Sequence, residues 1–163
     1  MKRPLSRIAI ALASSFMLVV SLSGTVQAQF SASYDLVKAK FDPFGAYTTA
    51  RVPRELAEFG SFQIDLVRKD VKRQALEIAG VVYTQQEGLT PSMKTITLTL
   101  KALAFETETV NGINYSFSGQ FLRSGAFSKL PRKTAVLEGL LKKSVNGRTV
   151  VESKLRFFYI EPD

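Results

Sequence analysis

The tripeptide Val-Asn-Gly occurs twice, at 110–112 and 145–147, and each copy joins two stretches whose apolar residues recur at every second position. Asn-Gly flanked by such alternation is the strongest short-range sign of a β-hairpin. Because side chains change face at every residue, a one-residue slip in pairing turns a whole strand over, and loop length can be tested against face chemistry. At the first corner a two-residue loop sets Glu106 against Phe117 and Glu108 against Tyr115. A three-residue loop pairs Phe105 with Phe117, Thr107 with Tyr115, Glu106 with Ser116 and Glu108 with Asn114. At the second corner a three-residue loop pairs Leu137 with Leu155, Leu141 with Val151 and Glu138 with Lys154, an attractive cross-strand pair. The two-residue loop sets Glu138 against Leu155 and Leu141 against Glu152. Face chemistry therefore predicts a type I turn with a glycine bulge at both corners, Gly112 and Gly147 taking positive φ.

The remaining chain reads as further strands between polar turns. Strands are expected over 33–41, 46–52, 61–67, 75–84, 94–109, 113–122, 134–144 and 148–160. Asp42-Pro43-Phe44-Gly45 suits a type I turn, and 53–59, opened by Pro53 and closed by Gly60, suits one or two helical turns. Within 94–109 the apolar phase changes from Ile96, Leu98 and Leu100 to Leu103 and Phe105, which predicts a bulge near Lys101 and Ala102. The fold class is thus all-β: an antiparallel meander of about eight strands forming a barrel or half-barrel, with a two-layer sandwich as the alternative and at most one short helix near 53–59. The expected core holds Leu103, Phe105, Tyr115, Phe117, Phe121, Leu137, Leu141, Leu155, Phe157 and Tyr159.

Residues 1–28 read as a cleavable secretory signal peptide. Lys2, Arg3 and Arg7 precede an apolar run over 8–20, and Val26-Gln27-Ala28 supplies small residues at −3 and −1. The run falls short of the roughly 20 residues that span a bilayer, so no transmembrane segment is expected after cleavage. Residues 29–163 then form a single β-domain, and the protein is expected to be exported, to the periplasm or the extracellular space. The chain has 22 basic and 14 acidic residues, a net charge of +8. Three of the basic residues and none of the acidic ones precede residue 29, which leaves 19 against 14, or +5. After export the available anions are lipid headgroups, acidic polymers and envelope proteins; nucleic acid is not an expected partner.

The chain has no histidine, cysteine or tryptophan. That removes the commonest general base, thiol nucleophiles, Ser-His-Asp triads and zinc–thiolate sites. Glu106 and Glu108 share a face as glycosidase carboxylates do, but with Ser and Asn opposite that face is expected to be polar and exposed, unlike a general-acid site. No enzyme, cofactor or metal site is expected. Two binding surfaces remain. Phe105, Tyr115, Phe117, Phe121, Phe157 and Tyr159 converge on one face, which suits an apolar ligand pocket or, as in many small barrels, a filled core. Arg68, Lys69, Lys72 and Arg73 crowd one turn, and Arg123, Lys129, Arg132 and Lys133 another; at one end of the fold they would form an anion-attracting rim, and apart they are solvated turns. The expected function is a non-enzymatic envelope-binding module that meets an anionic surface, polymer or envelope protein through its basic turns. The alternative is a lipid or apolar small-molecule carrier.

Overall fold

The computed structural model describes residues 39–70, 75–131 and 133–161. The predicted signal peptide, most of the strand expected at 33–41, and Lys72, Arg73 and Arg132 lie outside them. Eight strands, β1 (Gly45–Thr49), β2 (Phe59–Asp70), β3 (Ala75–Thr84), β4 (Met93–Leu98), β5 (Ala102–Thr107), β6 (Ile113–Phe121), β7 (Ala135–Val145) and β8 (Arg148–Ile160), form one sheet in the order β3-β2-β1-β8-β7-β6-β5-β4. All seven of these pairings are antiparallel. β1 lies between β2 and β8, joining the start of the meander to its end. The seam between β3 and β4 is stitched by a Val81–Ser92 bridge and by the Val82 N–H donating to the Pro91 carbonyl at 3.0 Å. The result is a nearly closed up-and-down barrel, and one continuous sheet replaces the two layers of the sandwich alternative. Helical structure among the described residues is limited to two 3-10 turns, Arg54–Leu56 and Phe127–Lys129. The first is what forms of the helix expected near 53–59, since the chain enters β2 already at Phe59. Among the described residues no helix is long and apolar enough to cross a membrane.

The inward face follows the period of two. Tyr47, Phe62, Leu103, Tyr115, Leu137, Leu141 and Phe157 are all fully buried, and Phe105 and Phe117 nearly so. Each such burial contributes roughly 1.5–3 kcal/mol. Of the expected core, Phe121 and Tyr159 are half-buried and the other eight are buried. Glu106 is exposed opposite Ser116, with Phe105 opposite Phe117, as the face chemistry required. Gly119 faces Gly139 on the inner wall, and the Phe117 ring lies over the pair. A Cβ at Gly139 would stand 2.4 Å from the Gly119 Cα and 2.5 Å from the Phe117 ring, so both glycines make room for that ring.

Four local expectations are corrected. First, both corners are two-residue loops. Asn111 and Gly112 have φ of 52° and 78°, and Asn146 and Gly147 50° and 77°, so both central residues are left-handed, the type I′ pattern. That turn matches the right-handed twist of the strands, and Asn tolerates the left-handed region that it demands. The extra residue enters further along: 107–109 face Asn114 and Tyr115 in the first hairpin, and Val150 is inserted between Thr149 and Val151 in the second. In the first hairpin this restores the expected Phe105–Phe117 and Glu106–Ser116 pairs. Thr107 meets Tyr115 only through its hydroxyl, which accepts the Tyr115 N–H at 2.9 Å, and Glu108 turns to Ser92, donating its N–H to the Ser92 carbonyl at 2.8 Å. In the second hairpin the extra residue preserves the faces but shifts the partners by two, so that Leu137 meets Phe157, Leu141 meets Ser153 and Glu138 meets Arg156. Glu138 then binds Arg156 at 2.6 Å and, diagonally, Lys154 at 2.7 Å.

Second, the long strand at 94–109 is a hairpin, β4–β5. The Thr99 N–H donates to the Ala102 carbonyl at 2.9 Å, and the Thr99 hydroxyl accepts the N–H groups of Lys101 and Ala102 at 3.3 and 3.0 Å. The phase change marks a reversal of the chain, not a bulge. Third, in place of a type I turn at 42–45, Asp42 bridges to Ala126 and accepts the Phe44 N–H on its carboxylate at 3.3 Å, and β1 begins at Gly45. Fourth, the strand expected over 46–52 ends at Thr49, where the Thr49 hydroxyl donates to the Arg51 carbonyl at 3.1 Å.

Candidate functional site

In an up-and-down barrel successive connections open at alternate ends. Those between β2 and β3 (71–74), β4 and β5 (99–101) and β6 and β7 (122–134) share one end; those at 50–58, 85–92, 108–112 and 146–147 share the other. Among the described residues the first three connections carry Lys101, Arg123, Lys129 and Lys133 and no acid; the sequence-predicted Lys72, Arg73 and Arg132 lie outside the described residues. The other four carry Arg51 and Arg54 against Glu55, Glu58, Glu87 and Glu108. Arg68 and Lys69 belong to the last residues of β2, which run into the same basic end. Asp42, Asp70, Glu77 and Glu161 are the acids placed there by the ends of the strands and the chain leading into β1, with Glu77 directly opposite Val67. The turn at Thr99 decides this arrangement. With one uninterrupted strand over 94–109, the 68–73 and 123–133 segments would open at opposite ends; the additional reversal brings them together.

The basic end is ordered by an aromatic plug. The Phe127 ring is buried and touches Phe41, Phe121 and Tyr159 at centroid distances of 5.4, 5.7 and 5.9 Å. The Leu122 N–H donates to the Val136 carbonyl at 2.8 Å, and the Asp42 N–H to the Gly125 carbonyl at 3.3 Å. On this anchored segment Arg123, Lys129 and Lys133 are exposed, as is Lys101 on the β4–β5 turn. None of the four forms an ion pair among the described residues. A cleft of about 950 Å³ runs beside the segment, between Leu130 and Lys133 on one side and Phe158 and Ile160 on the other.

The six aromatic residues singled out from the sequence join one ring network. Phe117 contacts Phe105 at 5.5 Å and Phe157 at 5.3 Å, and Tyr115 and Phe157 each contact Phe59, at 6.0 and 6.2 Å. Phe121 and Tyr159 meet at the basic-end mouth through Phe127. The rings fill space against one another, so an apolar guest among them would have to displace ring–ring contacts.

A polar cluster at the opposite end was not apparent from sequence. The Tyr115 hydroxyl donates to Glu58 at 2.9 Å, and the Lys143 ammonium meets the same carboxylate oxygen at 2.6 Å, with the Glu58 and Lys143 side chains only 20% and 16% exposed. Burial pushes the Glu58 carboxyl up, but hydrogen bonds from Lys143, its own backbone and Tyr115 hold it below the ordinary range. Burial and the bond to Glu58 push the Tyr115 phenol up. The cluster ties Glu58, the residue before β2, to β6 and β7. Its members stand 57 and 85 positions apart along the chain from Glu58, and no local pattern announces such pairing. Glu106 and Glu108 are exposed on the outer face. Compared with protein-family models, with curated proteins and with solved structures, the chain matches none.

Proposed function

We propose that the protein is an exported, non-enzymatic module of the cell envelope that attaches to an anionic component there through its basic end. The observation that supports this reading most is the convergence on one barrel end of Lys101, Arg123, Lys129 and Lys133, all exposed and without an ion-pair partner among the described residues. Charges of one sign gathered on one face produce a field that captures anions and orients the approach, which the same charges dispersed over a sphere do not. The plug of Phe127 supports the reading further, because a held loop loses less conformational freedom on binding than a loose one.

The test is retention of the secreted form on an immobilised anionic polymer such as dextran sulfate, over rising salt. The Debye length falls from about 10 Å to about 3 Å between about 0.1 M and about 1 M, so retention by exposed charges is lost over that range. Retention that ignores salt, or that survives unchanged in the Lys101→Gln/Arg123→Gln/Lys129→Gln variant, overturns the reading.

A further inference from the structure

Exposed apolar side chains are distributed as unevenly as charge. Among the described residues the large exposed ones are Val67, Leu76, Leu100, Leu122 and Ile160, together with Tyr83 and Val150. The first five all belong to the basic end: Leu100 in the β4–β5 turn, Leu122 directly after β6, Ile160 closing β8, Leu76 near the start of β3 and Val67 near the close of β2. They are 40–48% exposed. Tyr83 and Val150 belong to the far end. A lone exposed leucine needs no explanation, but five large exposed apolar residues at one charged end do.

Two of these leucines are followed directly by a cation, as Leu100-Lys101 and Leu122-Arg123. Both sit on backbone that is held: the Thr99 hydroxyl closes the first turn, and the Leu122 N–H on Val136 together with the Phe127 plug fixes the second. Attraction to a hydrated acidic polymer gains little from exposed leucine. A bilayer surface uses both parts, with apolar tips entering the acyl boundary and cations remaining among the headgroups. Resting on the proposed attachment through the basic end, we infer that the anionic partner is a lipid surface, entered by the apolar rim with Leu100 and Leu122 foremost.

The experiment compares vesicles of phosphatidylcholine with and without phosphatidylglycerol, and dextran sulfate, using the secreted form. The parent binds the anionic vesicles. Leu100→Ser/Leu122→Ser weakens that binding roughly tenfold or more while leaving polymer retention and thermal unfolding unchanged. Lys101→Gln/Arg123→Gln weakens both. The chain has no tryptophan, so Leu122→Trp provides a single indole whose emission shifts to the blue on insertion. Full vesicle binding by the double-serine variant, an indole that stays in water while vesicles bind, or binding to the polymer alone overturns the lipid inference and leaves the basic-end reading standing. Binding to neither ligand overturns both.

Discussion

The two ends of the barrel are made of the same kind of part, short connections between antiparallel strands, and differ in what they carry. One end is tied internally: Glu58 draws together Tyr115 and Lys143, and the two Val-Asn-Gly corners lie side by side, the Asn146 N–H donating to the Gly112 carbonyl at 2.7 Å. The other end leaves its charge outward, with Lys101, Arg123, Lys129 and Lys133 exposed and without an ion-pair partner among the described residues. The difference teaches how a meander sorts charge. Alternate connections go to alternate ends, so basic segments scattered along the chain are separated from Glu55, Glu58, Glu87 and Glu108 by parity alone.

The largest expected effect contrasts the ends directly. Each basic residue near an anionic surface contributes about 1 kcal/mol, so Lys101→Gln/Arg123→Gln/Lys129→Gln lowers affinity for an anionic surface roughly 100-fold. Arg51→Gln/Arg54→Gln at the other end changes it less than about twofold, and vesicle or polymer titration reads both. Next comes the internal tie. Glu58→Gln removes a charged acceptor shared by two donors and lowers stability by about 2 kcal/mol in denaturant unfolding at pH 7. Because the folded carboxyl is held below its ordinary range, its contribution is full above the unfolded value near pH 4.3 and is lost as pH falls through the folded value. The gap between parent and variant therefore closes in acid, and a gap constant with pH contradicts the assignment. The smallest effect distinguishes the two corners. Gly112→Val and Gly147→Val each cost more than about 1 kcal/mol, because both positions have positive φ. Gly112→Val costs more, since its Cβ would lie 2.4 Å from the Asn146 side-chain oxygen while nothing stands within 4 Å of that at Gly147. Asn146→Gly narrows the difference.

The faces of the barrel were legible from the sequence because a period of two leaves little freedom: placing Phe105, Phe117, Leu137, Leu141, Leu155 and Phe157 inside and Glu106 outside needed only alternation and like-with-like pairing. The turn at 99–101 was not legible. It contains no Gly, Pro, Asn or Asp, and a threonine hydroxyl does the work usually assigned to those residues. Eight strands form among the described residues, one of them supplied by this extra hairpin, while most of the strand expected at 33–41 lies outside those residues. The basic residues themselves were visible in composition. Their convergence was not, since it depends on an even or odd number of reversals between them.

Amide hydrogen exchange of the purified protein, with and without phosphatidylglycerol vesicles, tests the polarity of the barrel most directly. The account predicts added protection at 99–101 and 122–131 and none at 85–92 or 108–112. Protection concentrated at the Val-Asn-Gly corners, or spread evenly over both ends, contradicts it.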